Sequence, residues 1–206
     1  LPAHRGPSSI NWPIAMGKTR TGLTIFWPDE GLDEGPVLIQ KSVEVGPDET
    51  LGDVYFKKLF PMGVDAMLEG LDLVKAGVLL KHKQDLAAGS YESWFKKDLA
   101  ELDWSKPVAD NYNVIRAANP APGAWTMLKG VKLDIYDAAR VDGNGKPGAV
   151  LAISDAGITI AGTGGAILAK RVKASDGKKI AAAEWAKSAG LAVGDVCEAP
   201  KPKPPA

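Results

Sequence analysis

Cysteine is nearly absent from this 206-residue chain, Cys197 being the only one. No disulfide can form within the chain, and a reducing compartment such as the cytosol is the expected setting. Histidine is almost as scarce, with His4 and His82 far apart in sequence. So few, unclustered ligands give no expectation of a metal site, and no sequence context favours a Ser-His-Asp triad. No stretch approaches the roughly 18–20 apolar residues that span a bilayer, so no membrane partner is expected. A basic-then-apolar signal segment is also missing. Net charge is missing as well: 25 basic residues balance 25 acidic ones. That balance gives no broad electrostatic hold on nucleic acid or anionic lipid. There are no internal repeats. The first residue is leucine, and Leu1-Pro2-Ala3-His4-Arg5-Gly6 reads as mid-loop, so residues are expected to precede it.

What is present is an ordinary globular pattern in two stretches. The segment Ile10 to Met16 suggests a short helix after a Pro/Gly-rich loop. Thr21–Trp27 (TGLTIFW) reads as a buried strand, and Val37–Val45 as a second strand that becomes half-exposed. Thr50-Leu51-Gly52-Asp53 has the capping-box pattern that opens a helix. Apolar residues at Val64, Met67, Leu68, Leu71 and Val74 continue it at helical spacing toward a C-cap at Gly77, with Pro61 expected to split or kink the run. Residues 80–103 turn polar, which marks a domain boundary. Ser105 can cap a helix ending near Ala118, before Asn119-Pro120-Ala121-Pro122-Gly123.

Beyond Gly123 the period changes. Candidate strands are 124–128, 131–138, 148–154, 157–161 and 166–173, separated by Lys129-Gly130, Asp142-Gly143-Asn144-Gly145, Asp155-Ala156-Gly157 and Gly162-Thr163-Gly164-Gly165. Five short strands in about 50 residues suggest a small antiparallel barrel. A helix over 180–189 follows. The resulting plan is residues 1–92, residues 93–198 and a disordered Pro-rich tail, 199–206.

Several motif fragments reduce to turns. Gly17-Lys18-Thr19 looks like the end of a phosphate-binding loop, but Trp12 stands where its first glycine is required. Asp142-Gly143-Asn144-Gly145 has the start of a calcium loop, but Lys146 and Ile153 fall at ligand positions; a hairpin turn is expected. Gly162-Thr163-Gly164-Gly165 lies between strands and lacks the following helix of a dinucleotide loop. The loop Pro28-Asp29-Glu30-Gly31-Leu32-Asp33-Glu34-Gly35-Pro36 is different. It follows a buried strand directly, where ligands bind in open α/β sheets, and it gathers Asp29, Glu30 and Asp33, carboxylates suited to acid–base work; on the residues alone a solvated turn is the more ordinary reading and a functional loop the alternative.

Whole words of the sequence carry a resemblance. Leu1-Pro2-x-x-Arg5-Gly6-Pro7-Ser8, Thr21-Gly22-Leu23-Thr24-Ile25, Gly31-Leu32-Asp33-x-Gly35-Pro36, Leu102-Asp103-Trp104-Ser105 and Ile115-Arg116-Ala117-Ala118-Asn119-Pro120-x-Pro122-Gly123-Ala124-Trp125 stand in the order and spacing of the folate-dependent formyltransferases. The chain resembles that family from residue 1 to about 195. The resemblance implies the C-terminal part of a Rossmann-like catalytic domain, followed by a small OB-like barrel. It implies 10-formyltetrahydrofolate as formyl donor, without a metal, and a catalytic trio of asparagine, histidine and aspartate. Asp33 matches the aspartate. The other two would lie upstream of Leu1, so the chain by itself would lack them, and His4 is not that histidine. The backbone of Pro28, Asp29, Glu30, Gly31 and Leu32 would hold the pteridine.

The wording over residues 6–56 is most similar to the hydrolase domain of 10-formyltetrahydrofolate dehydrogenase, where water or a carrier thiol accepts the formyl group. Methionyl-tRNA formyltransferase is the alternative, with Lys170, Arg171, Lys173, Lys178 and Lys179 as a basic run for initiator tRNA. A nucleotide-sugar formyltransferase is a third reading. A non-catalytic binding module is the reading from another class. The enzyme readings require a preceding segment of the same protein, because the truncated sheet would otherwise expose an apolar edge.

Overall fold

The computed structural model describes residues 1–175 and 177–200. The end of the expected Pro-rich tail, residues 201–206, lies outside them. The chain forms two compact units that divide between Phe95 and Lys96.

The first unit begins with a loop and α1 (Asn11–Ala15). Strands β1 (Arg20–Phe26) and β2 (Val37–Glu44) pair antiparallel, from Arg20 opposite Glu44 to Phe26 opposite Val37. A bulge at Ile25/Phe26 breaks the register just before the acidic loop. Such bulges re-aim the chain at a sheet end. Among the described residues no strand pairs with the other edge of β1.

Helix α2 (Leu51–Asp53) opens as the capping box requires: the Asp53 N–H donates to Thr50 Oγ1 at 3.2 Å, and the Thr50 N–H donates to Asp53 Oδ2 at 3.0 Å. A π turn (Val54–Leu59) leads into α3 (Phe60–Lys75). Pro61 therefore does not split the run; it sits in the first turn of α3, directly after the widened π turn. A proline ring clashes with the carbonyl four residues back in a regular helix, and a π turn is a known way to absorb the misfit. Gly77, at φ +74°, ends α3 as expected. Its N–H donates to the Val74 carbonyl and that of Val78 to the Leu73 carbonyl, the paired bonds of a Schellman motif.

The apolar stripe of α3 is not the face laid on the hairpin. Ala66 and Gly70 are the buried residues of the helix. A Cβ at Gly70 would lie 3.4 Å from Leu38 and 3.7 Å from Ile25 and Ile39, so the small residues let the helix lie close on the sheet. Phe60, Val64, Met67, Leu68 and Leu71 remain 48–58% exposed.

The second unit holds α4 (Val108–Ala117), β3 (Ala124–Leu128), β4 (Val131–Ile135), β5 (Ala138–Val141), β6 (Val150–Ser154), β7 (Gly157–Gly162), β8 (Gly165–Ala169), β9 (Arg171–Ala174), β10 (Ile180–Ala181) and α5 (Ala182–Ser188). Ser105 does not cap α4. Its N–H and hydroxyl both bind the Asp103 carboxylate in a local turn, and Pro107 occupies the N-cap position.

Two antiparallel sheets form, in the orders β10-β9-β4-β3 and β5-β8-β7-β6. The expected strands 131–138 and 166–173 each bend, at Tyr136-Asp137 and at Lys170. Hydrogen bonds cross that corner from Tyr136 N–H to the Arg171 carbonyl and from Lys170 N–H to the Asp137 carbonyl. At the far side, residues 194–198 bond to Gly148 and Val150 beside β6 and to Met127 of β3. The ladder can thus be followed round from β3 and back to it. The loop over 142–145 is not the expected hairpin turn: β5 pairs with β8, and the loop carries the chain from one sheet edge to the other. Ile135, Leu133, Ile158, Ile160, Ile167 and Val172 fill the core at 0% exposure.

Candidate functional site

The acidic loop is built from its ends inward. The Trp27 N–H donates to the Pro36 carbonyl at 2.9 Å and closes its neck. Gly35 fits only because it lacks a side chain, since a Cβ there would stand 1.8 Å from the Trp27 carbonyl oxygen. The buried Gln84 clamps the loop from behind, its amide donating to the carbonyls of Asp33 at 3.0 Å and Gly35 at 2.7 Å. Arg5 pairs with Glu34.

Asp33 sits at φ +57°, in the left-handed region. Asp and Asn tolerate that region better than most residues. Its Oδ2 accepts the Gly6 N–H at 2.9 Å, so the strap 4–6 and the loop are tied together at the carboxylate. Asp33 is half-buried, whereas Asp29 and Glu30 are exposed. Asp29 Oδ1 accepts the Gly31 N–H at 3.0 Å. The three carboxylates are thus not packed into one buried group; Asp33 alone of them reaches the cavity.

That cavity has a volume of about 1100 Å³ and lies wholly in the first unit. Its wall has two characters. Asp33, His4, Thr24, Gln40, Lys18, Arg20 and Lys41 are among its polar residues; Leu59, Phe60, Val64, Met67 and Leu68 are among its apolar ones. Pro28, Asp29, Glu30, Gly31 and Leu32 are exposed and lie outside the wall. The volume is at the upper end of small-molecule sites.

Sequence reading missed most of the supports. Gln84 and Glu92 come from a polar stretch with no period. His4 belongs to the cavity wall, with Nδ1 3.2 Å from Glu92 Oε1. The other histidine, His82, is exposed and contributes only backbone bonds to Val37. Arg5 was visible as a motif residue but without a partner. Among the described residues no three His, Cys, Asp or Glu side chains gather as metal ligands, and no helix is long and apolar enough to cross a membrane.

In the second unit the motif residues are packing groups. Leu102, Trp104, Asn111 and Arg116 are buried. Trp104 donates to Thr126 Oγ1 at 3.0 Å, and Asn111 to the Asp103 carbonyl at 2.8 Å.

Known proteins resemble the chain in both units. The family model described as formyl transferase matches residues 1–68, and that of the formyl transferase C-terminal domain matches residues 95–190. Human mitochondrial 10-formyltetrahydrofolate dehydrogenase is 35% identical over 195 residues, covering 90% of this chain and 21% of that protein. Methionyl-tRNA formyltransferase of Geotalea daltonii is 35% identical over 194 residues, covering 94% of this chain and 62% of that protein. The chain therefore spans from a fifth to three fifths of the length of these relatives. The crystal structure of HypX from Aquifex aeolicus in complex with tetrahydrofolic acid superposes with a TM-score of 0.77 at 22% identity, over 94% of this chain and 35% of that one. Its likeness supports the fold alone, the C-terminal part of a Rossmann-like α/β unit followed along the chain by an antiparallel one. With both domain models matched in order along a single polypeptide, the chain belongs to the formyl transferase family.

Proposed function

We propose that this chain is part of an enzyme that removes the formyl group from 10-formyltetrahydrofolate, with Asp33 as a catalytic residue. One observation carries the reading: Asp33, fixed by the Gly6 N–H, lines a cavity large enough for a reduced folate. The departing folate nitrogen needs a proton, and a half-buried carboxylate at hydrogen-bonding distance can relay it. The exposed backbone of Pro28, Asp29, Glu30, Gly31 and Leu32, next to Asp33, is the proposed contact for the pteridine ring. A formyl oxygen becoming an oxyanion needs donors as well; the asparagine and histidine implied by the resemblance would supply them from a preceding segment.

The edge of β1 without a partner among the described residues and the apolar residues that line the cavity support such a segment as their cover. Hydrogen exchange checks this. In the natural polypeptide, amides of β1 should be protected more than in the 1–206 chain alone.

Water or a carrier thiol is the proposed acceptor, by the likeness to the dehydrogenase, in a cytoplasmic setting. Initiator tRNA is the competing acceptor. Two members of its proposed basic run are already engaged within the protein: Arg171 faces Asp137, and Lys179 lies over the Tyr136 ring. A tRNA enzyme would bind with a steep salt dependence; weak, salt-insensitive binding of initiator tRNA is expected here.

The deciding experiment replaces Asp33 by Asn in the natural polypeptide. Asn keeps the left-handed backbone and can still accept the Gly6 N–H. Tetrahydrofolate binding should persist while release of tetrahydrofolate from 10-formyltetrahydrofolate stops. Near wild-type turnover in D33N would refute the assignment, and a wild-type polypeptide with no turnover would favour a non-catalytic module.

A further inference from the structure

The bond that fixes Asp33 joins two pieces of chain, the strap at Gly6 and the acidic loop, and neither lies in a strand or a helix. One segment places both. The first part of residues 80–92 grips the loop at alternate residues, as extended chain presents them. The Leu80 carbonyl accepts the Trp27 indole N–H at 2.9 Å. His82 exchanges backbone hydrogen bonds with Val37, at 2.8 and 3.0 Å. The Gln84 amide nitrogen donates to the carbonyls of Asp33 and Gly35, at 3.0 and 2.7 Å. The second part grips the strap. The Ser90 N–H donates to the Pro2 carbonyl at 3.2 Å, the Arg5 N–H to the Ser90 carbonyl at 3.0 Å, and the Glu92 N–H to the Arg5 carbonyl at 3.0 Å. A Cβ on Gly6 would stand 2.3 Å from the Glu92 carbonyl oxygen. The strap thus lies hard against this segment at the very residue that binds Asp33.

Within that frame Gln84 has a particular place. It is 7% exposed, and a buried amide is costly unless its donors are met. An amide nitrogen carries two N–H bonds. Here they are matched by two carbonyls, one on each side of Glu34, in a turn that belongs to no strand. The same turn holds Asp33 at φ +57°. A left-handed residue other than glycine persists only where its surroundings enforce it, and Gln84 holds this one from behind while Arg5 pairs with Glu34. The backbone angle matters to the side chain, because it sets the direction in which the carboxylate leaves the chain. Oδ2 accepts the Gly6 N–H, and Oδ1 accepts no hydrogen bond from the described residues. Gln84 itself is not part of the cavity wall.

We propose that Gln84 is a positioning residue for Asp33, its amide fixing the turn on which the carboxylate is mounted so that Oδ2 stays on the Gly6 N–H and Oδ1 is left to the departing folate nitrogen; this rests on the formyl-transfer reading. Gln84 exchanges no proton. It acts through the backbone of residues 33 and 35, and the segment that carries it also carries the strap. Both partners of the Gly6–Asp33 bond are therefore registered against one piece of chain. Misplacing a reacting group by about 1 Å can cost about 100-fold in rate, so two hydrogen bonds behind the loop are enough to govern turnover from outside the cavity.

The test uses the natural polypeptide and measures three things: tetrahydrofolate release, tetrahydrofolate binding and hydrogen exchange at the Gly6 amide. Gln84→Met keeps the length of the side chain and removes both donors. It should lower kcat about 10- to 100-fold, leave the tetrahydrofolate dissociation constant unchanged and speed exchange at Gly6. Gln84→Asn keeps the amide but is one methylene short of the loop. It should change kcat and Gly6 exchange in the same direction, and it carries the comparison should Q84M fail to fold. Wild-type kcat in a folded variant would overturn the proposal while leaving the role of Asp33 intact. A fall in kcat that comes with weakened folate binding, or with Gly6 exchange unchanged, would also overturn it, because the loss would then not run through the Gly6–Asp33 bond. A wild-type polypeptide that releases no tetrahydrofolate would remove both readings together.

Discussion

At the scale of single residues, the site depends on two positions where the backbone leaves little choice. Gly35 is one. Any side chain there meets the Trp27 carbonyl at the neck of the loop. Gly35→Ala should cost about 3 kcal/mol, the upper part of the range for overpacked sites, and thermal denaturation of the first unit would show it. Asp33 is the other. Its left-handed backbone favours Asn over Ala as a probe, because Ala adds strain to the loss of the carboxylate. Asp33→Ala should therefore destabilise the protein measurably more than Asp33→Asn, in the same denaturation experiment.

Among the elements, the start of α2 is the most predictable in its response to pH. Asp53 is held down to about 2 from an ordinary 3.8, first by the Lys57 ammonium and then by the Thr50 N–H and hydroxyl. A carboxyl lowered in the folded state stabilises it above its unfolded value, and the contribution is lost as pH falls through the folded one. The loss thus falls between about pH 4 and pH 2. Asp53→Asn should flatten the stability profile in that window, and Lys57→Met should raise the Asp53 midpoint seen by NMR. Thr50→Ala should cost about 1 kcal/mol, as lost caps do.

These elements also show what the sequence makes legible. The capping box, the Gly77 stop and the Lys129-Gly130 turn, at φ +53° and +72°, are local rules that tertiary structure had no reason to override. The π turn before Pro61, the Asp103 turn that claims Ser105 and the 142–145 crossing loop depend on neighbours distant in sequence, which no local pattern reports. The same division runs through the site. Asp33 stands in a recognisable phrase. Gln84, Ser90 and Glu92 come from a polar, aperiodic stretch whose purpose emerges only when it lies against residues 4–6 and 33–35. The stripe on α3 was legible as a helix, but its face was misleading: small residues pack on the hairpin, and the large apolar ones face the cavity or solvent.

For the molecule as a whole, that exposed stripe is a liability for the 1–206 chain alone. Contiguous apolar surface of this kind promotes association. Sedimentation should show concentration-dependent self-association of the 1–206 chain, relieved by Leu68→Lys, which leaves the buried Ala66 and Gly70 untouched. The second unit offers a different probe. Cys197 is buried in the 194–198 seam, and burial pushes its thiol up to about 12. The thiol is therefore protonated and slow to react. As the chain's single sulfhydryl, it should label only when the seam opens, and Leu133→Ala, a fully buried site expected to cost about 2–5 kcal/mol, should accelerate labelling.

The seam also orders the way this unit is assembled during translation. Strands β3 to β9 leave the ribosome before residues 194–198 do, yet those residues join the β6 side to β3. Nascent chains fold from the N-terminus while elongation continues. A ribosome-bound intermediate that has made every earlier strand still lacks that join, and it is over this interval that a chaperone or a protease would find the unit's apolar interior within reach.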